Sequence, residues 1–408
     1  MIESRMIEQH GRETAPRSSA APIIVGTALF LITAAVNLEV PLYGVYAAGA
    51  GFGAGLTAVV FAAYIAALVP TLIVFGGISD RVGRKPILLV GLGCAILATA
   101  LMIFAPSVTA LFVARVLQGI GVGLSIGAGT AFLAELLGGA AGAARAASLA
   151  AVTTSLGFGS GALLTSAGLA TVSTVPPISY VLVALLALGC FLAVSALRVR
   201  GGVTGTGALL RLPYYPTGVW GYGVAIAVAW AVTGLVIAVV PGELAQHGLG
   251  VWSGPTLFLV NGTGALMQPL ARRLAPVAAL RVGFVLLPLG YGLLVLGAWQ
   301  GVLPGILAGA MLAGAACYGF TYLGGLSAVS VAGGVERARA VSGYFLCAYL
   351  GLGLPSIAVG FLADRIGIVT ALVGFGVVLC IADVALAARL RPRVAVPSIV
   401  ATGAPTAQ

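Results

Sequence analysis

The sequence predicts an all-α membrane protein: twelve transmembrane helices in two six-helix pseudo-repeats. Three observations predict it. Of 408 residues, 60% are hydrophobic and only 7% are charged, against roughly 25% charged in an ordinary soluble domain. Residues 146–197 hold no Asp, Glu, Lys or Arg over 52 positions, and residues 282–335 hold none over 54. Each run is long enough for two membrane helices of about 20 residues. Third, the bases recur in short clusters between the apolar runs. Strands of a β-barrel would alternate over about 10 residues, a pattern not seen. The composition excludes a soluble enzyme and a disordered chain. The net charge of +10 does not mark a nucleic-acid binder, because its bases lie between apolar spans rather than on one folded surface.

The spans follow in order. Span one, 22–47, ends in the Gly-rich stretch before span two, 56–78, and the basic loop Asp80 to Lys85 precedes span three, 86–105. Ala105-Pro106-Ser107 turns the chain into span four, 108–134, and Arg145 lies before span five, 148–171. Pro176-Pro177 separates it from span six, 177–197. Span seven, 218–241, and span eight, 254–271, precede the Arg272-Arg273 pair. Span nine, 281–299, turns at Gln300-Gly301 into span ten, 302–330. Spans eleven, 341–362, and twelve, 368–388, complete the set. The implied organisation is a tail (1–21), an N-terminal bundle (22–197), a polar linker (198–217) that lets two bundles rock, a C-terminal bundle (218–390) and a second tail (391–408).

Twelve spans put 18 of the 20 bases on one face; Arg365 falls on the other face and Arg115 within span four. Basic loops face the cytoplasm, so both termini are expected there. Trp252 and Trp299 fall at the other ends of spans, as interfacial aromatics do. The first 21 residues lack the apolar region of a secretion signal, and span one reads as an uncleaved anchor. Cys94, Cys190, Cys317, Cys347 and Cys380 all fall in spans without CxxC spacing, so they read as packing residues. No metal site or cofactor is expected. Gly119-Ile120-Gly121-Val122-Gly123 lacks the strand and Lys of a nucleotide loop. His10 lies in the tail and His247 in a loop.

A repeat supports the two halves. Ala144-Arg145-Ala146-Ala147-Ser148 recurs as Ala338-Arg339-Ala340-Val341-Ser342, and the same offset superposes the Asp80 and Arg272 loops. Parallel repeats place a substrate path at their interface, near the bilayer midplane.

Two motifs carry a resemblance. Gly76-Gly77-Ile78-Ser79-Asp80-Arg81-Val82-Gly83-Arg84-Lys85 resembles the loop signature of the major facilitator superfamily, with Ile78 for the usual Leu. Leu111 to Gly121, containing Arg115, Gln118 and Gly119, resembles its span-four motif. The resemblance covers about residues 22–390. It implies a cytoplasmic gate: Gly76 and Gly83 permit a close approach and a tight turn, Asp80 faces the start of span eleven near Ser342, and Arg81, Arg84 and Lys85 organise that carboxylate or contact anionic lipid. The span-five antiporter pattern is only partly met. Gly157, Gly159 and Gly161 are present but the Pro is missing, and packing glycines are the competing reading.

A charge at membrane depth is costly unless paired or wet. Arg115 and Glu39 lie at similar depth counted from the ends of spans four and one, and are the proton-coupling candidates. A static ion pair is the other reading. Asn37 projects about 200° from Glu39 around a continuous helix, while Tyr43 lies one turn away on the same side. Tyr64, Gln118, Asn261 and Gln268 complete the substrate-cavity candidates; each also reads as a packing hydrogen-bonder. Asp383 lies toward the cytoplasmic end of span twelve and reads as interfacial, with a proton site as the other reading. Asp364-Arg365 suggests a local ion pair.

The resemblance implies a secondary transporter working by alternating access, not an enzyme. The expected activity is proton-coupled efflux of a small amphipathic molecule, with protons, a small-molecule substrate and the lipid bilayer as partners, no nucleic acid, a monomeric unit, and a bacterial inner-membrane location. Uptake or uniport of a metabolite, such as a sugar or organic acid, is the alternative. A non-transporting membrane sensor is the rival of another class.

Overall fold

The structure is a computed structural model that describes residues 20–172, 174–198 and 212–390. Most of tail 1–21, linker residues 199–211 and tail 391–408 lie outside the described residues. The described chain is helical, with no strand among its elements. Eleven helical segments are long and apolar enough to cross a membrane. The remaining span, Ser253–Ala271, has 19 residues, about 28 Å at 1.5 Å per residue. That matches a hydrocarbon core of about 30 Å. Its Asn261, Gln268 and glycines lower its apolarity, and Asn261 and Gln268 are buried within the protein.

Two spans are broken rather than continuous. Span one is a helix over Ala21–Val36, a 3-10 turn over Val40–Leu42 and a second helix over Tyr43–Ala50. Pro41 explains the break. It has no N–H to donate, and its ring clashes with the carbonyl four residues back. Span seven breaks likewise into Trp220–Ala238 and Val240–Gln246, with Pro241 just after the break. Span ten keeps its direction but passes through a π-helical segment, Ala315–Thr321, between Leu303–Gly314 and Tyr322–Ala332.

One hydrophobic core runs through both bundles. The halves meet along two antiparallel seams, span two with span eleven and span five with span eight. Glycines make the seams tight. A Cβ on Gly254 would stand 2.2 Å from the Ala162 carbonyl oxygen, and one on Gly360 would stand 2.8 Å from that of Ala54.

The end of the linker is not loose. Tyr214 N–H donates to the Arg339 carbonyl (3.1 Å), and the Tyr215 hydroxyl donates to that of Gly343 (2.7 Å). The Tyr215 ring stacks on Trp220 with centroids 4.5 Å apart. Residues 212–217, expected to belong to a hinge, are docked on the start of span eleven.

Candidate functional site

The site begins at the break in span one. A helix that ends at Val36 leaves its last carbonyls without intrahelical donors. Two side chains from span four supply them. Arg115 Nη1 donates to the Val36 carbonyl, and Gln118 Nε2 donates to that of Ala35 at 3.0 Å. The same two residues then reach Glu39, just past the break. Gln118 Nε2 donates to Glu39 Oε1 at 2.9 Å, and Arg115 Nη2 stands 3.3 Å from Oε2. Arg115 Nη1 also donates to Gln118 Oε1 at 3.2 Å. Glu39 and Arg115 are both fully buried. The Arg115 guanidinium carbon lies 5.3 Å from the Tyr43 ring centroid, a cation–π distance. The cation therefore faces a carboxylate, a helix C-terminus and an aromatic face at once.

The hydrogen bonding is incomplete. Arg115 Nε and Nη2 and Glu39 Oε2 make no hydrogen bond of good geometry. A buried pair with spare donor and acceptor capacity differs from a saturated structural one, in which every charge-bearing atom is bound.

Of the other cavity candidates, Asn37 turns away from this cluster. Its Nδ2 donates to the Phe158 carbonyl of span five at 2.7 Å. Asn261 spends its Nδ2 on its own helix, at the Leu257 carbonyl (3.0 Å). Gln268 is buried in span eight. Tyr64 is buried in span two, and its hydroxyl makes no hydrogen bond. Tyr318 and Tyr349 of the other half are among its neighbours. Those residues belong to an aromatic cluster absent from the sequence-based candidates. The Trp230 ring lies 5.4 Å from Tyr318 and 5.3 Å from Tyr349. Aromatics spread over spans seven, ten and eleven look like ordinary core. The signal available was Trp230 itself, a large side chain in mid-span.

The span-five glycines are packed. A Cβ on Gly157 would stand 2.0 Å from Thr33 Oγ1, and one on Gly161 would stand 1.9 Å from the Ala34 carbonyl oxygen. They let span five press on span one just before its break. Asp383 is buried, with neither oxygen hydrogen-bonded among the described residues.

The Gly76 to Lys85 loop forms a polar knot on the basic face. Gly83, at φ +100°, ends the short helix Ile78–Val82 in a conformation that favours glycine. Arg84 Nη1 donates to Asp80 and, at 2.9 Å, to Ser79 Oγ; Arg84 Nε donates to Glu135 at 3.1 Å. Lys85 Nζ donates to the carbonyls of Ser195 (2.7 Å) and Leu197 (2.8 Å) at the end of span six. Arg81 lies exposed beside Asp80. Across the halves on this face, Arg272 donates to Ser148 Oγ at 3.1 Å. On the opposite face, Asp364 does not use its oxygens on Arg365. It accepts from the backbone N–H groups of Ala54 (2.7 Å) and Gly55 (2.9 Å).

Membrane-length helices in two bundles, with buried charges at a helix break, define a polytopic membrane protein of the kind that carries solutes. The family model of the Major Facilitator Superfamily matches residues 23–330, and the chain belongs to that superfamily. Solved structures share the fold at low identity. A mutant of the nucleoside transporter NupG matches at TM-score 0.73 and 12% identity, over 91% of this chain and 100% of that one. The human organic anion transporter MFSD10 matches at 0.61 and 17%, over 91% and 100%. A POT family transporter matches at 0.69 and 12%, over 92% and 96%. Multidrug resistance protein D of Escherichia coli (strain K12) is 40% identical over 65 residues, a match that spans 16% of each chain.

Proposed function

We propose that the chain exports a small, partly apolar molecule in exchange for protons, by alternating access of the seam between its halves. The observation that carries this reading is the buried Glu39–Arg115–Gln118 cluster at the break of span one. Glu39 is the proton acceptor. With Glu39 ionised, Arg115 is neutralised by it. With Glu39 protonated, the Arg115 cation keeps the Val36 carbonyl, the Gln118 amide oxygen and the Tyr43 ring as partners. Both protonation states therefore have partners, as a group that loads and unloads a proton each cycle requires. Tyr64, Trp230, Tyr318 and Tyr349 offer an aromatic lining for an amphipathic substrate.

The local match to a multidrug resistance protein supports export. The 18 bases on one face support an orientation with both termini cytoplasmic, in a bacterial inner membrane. The transporting unit is the monomer, with the Gly76 to Lys85 loop as the cytoplasmic gate. Uptake of a metabolite is the second reading, favoured by the nucleoside transporter among the fold neighbours.

The test is reconstitution in vesicles holding a pH-sensitive dye. Substrate-induced proton release in the wild type, lost in Glu39→Gln while substrate exchange persists, is the expected result. Flux without a proton signal means uniport, no flux means a sensor, and a Glu39→Gln variant with unchanged proton-driven transport removes Glu39 from the coupling role.

A further inference from the structure

The octapeptide Gly76-Gly77-Ile78-Ser79-Asp80-Arg81-Val82-Gly83 has a counterpart at the far end of the chain, Gly360-Phe361-Leu362-Ala363-Asp364-Arg365-Ile366-Gly367. Gly, Asp, Arg and Gly recur in register, and Ile/Leu, Ser/Ala and Val/Ile are conservative pairs. The backbone matches as well. Gly83 has φ +100° and ψ 157°, and Gly367 has φ +89° and ψ 149°. Each glycine ends a helix three residues after the Asp. The first copy follows the C-terminal end of span two on the basic face. The second ends span eleven on the opposite face. Spans two and eleven are antiparallel partners along one seam, so the two copies bracket that seam from its two ends.

At the second copy the contact across the halves is explicit. The first N–H groups of Ala54–Phe75 have no intrahelical acceptor. Asp364 takes two of them, Ala54 through Oδ1 at 2.7 Å and Gly55 through Oδ2 at 2.9 Å. A carboxylate there meets the positive end of the helix dipole as well as its free donors. The surroundings leave room for this contact alone. A Cβ on Gly53 would stand 2.2 Å from Asp364 Oδ1, and one on Gly55 would stand 2.5 Å from the Phe361 ring. Asp364 comes from 310 residues away and the opposite bundle, so this cap joins two bodies. An ordinary cap joins a helix to its own loop.

We propose that Asp364 and the start of span two form a latch that holds the two halves together on the face opposite the basic loops. The latch must release for that face to open. It lies at the solvent edge, where a charge–dipole contact is weak enough to break in each transport cycle. The inference rests on the alternating-access reading only for that last step; the latch itself is a contact between halves.

Hydrogen–deuterium exchange with mass spectrometry tests it on the full-length protein in lipid nanodiscs. Asp364→Asn keeps the shape and removes the charge. The expected result is exchange roughly twofold to fivefold faster, the range of a lost charge–dipole contact at an exposed helix N-terminus, at the start of span two. The distant ends on the same face, Tyr43–Ala50 and Val240–Gln246, also exchange faster. Arg365→Gln leaves all three unchanged. Faster exchange confined to Ala54 and Gly55 means a local cap and overturns the latch, as does no change anywhere. An unchanged unfolding midpoint shows that the fold is kept, and Asp364→Glu, which retains a carboxylate, recovers part of the protection. Because no substrate enters the measurement, a protein that shows the latch but transports nothing keeps this inference and loses the transport reading.

Discussion

Gln118 binds Glu39 and the Ala35 carbonyl through one amide nitrogen, at 2.9 Å and 3.0 Å. It thereby ties the carboxylate to the broken end of span one. Replacing Gln118 by Leu strips two buried acceptors of their donor. Unsatisfied buried groups cost about 1–3 kcal/mol, so a lower thermal unfolding midpoint is expected in detergent. Altered proton coupling in vesicles accompanies it, because the Glu39 carboxylate then depends on Arg115 alone.

Arg115→Ala leaves the Glu39 carboxylate buried without its counter-charge. Removing one partner of a buried pair typically costs about 3–5 kcal/mol. In the double variant Glu39→Gln with Arg115→Ala, neither charge remains unpaired. The combined loss is expected to be smaller than the sum of the single losses, which a double-mutant cycle on unfolding free energies measures. An additive result denies any energetic coupling between the two.

Pro41 maintains the break. Pro41→Ala restores a backbone donor and removes the ring whose clash with the carbonyl four residues back keeps a helix from running through this point. The protein is expected to stay folded or gain stability, yet to lose transport, because a continuous helix carries Glu39 away from Arg115 and Gln118. Unfolding curves and vesicle flux on the same sample separate the two effects. Undiminished flux would show that the break is incidental.

Gly161→Ala places a methyl group 1.9 Å from the Ala34 carbonyl oxygen, whereas one on Gly189 meets nothing within 4 Å. Size-exclusion profiles are expected to show aggregation for Gly161→Ala. Gly189→Ala should fold, with a gain of roughly 0.5–1 kcal/mol from its lower chain entropy.

The spans were legible because charges are too costly to scatter in lipid-depth segments; their positions mark the ends directly. Counting from those ends also puts Glu39 and Arg115 at one depth. The break between them was not legible. Asn37-Leu38-Glu39-Val40-Pro41 sits in an apolar run, and a mid-helix Pro can kink a membrane helix or end it, depending on which neighbours satisfy the freed carbonyls. Those neighbours, Arg115 and Gln118, come from span four. Asp364 shows the same limit. Its adjacent Arg365 is the obvious local partner, but the free N–H groups of span two compete and win through packing between the halves. The role of Trp230 depends on spans ten and eleven converging on it, which periodicity does not reveal.

The docking of Tyr214 and Tyr215 fastens the segment that leads into the second bundle to span eleven. Thirteen residues, 199–211, join Arg198 to Leu212, and no chain of that length spans more than about 45 Å. That length caps the separation of span six from the docking point on span eleven. Because the strap is anchored there, a pull on it loads the span that carries Asp364 at its other end. Cutting the strap, or adding residues to it, tests whether one bundle steers the other through a mechanical lead.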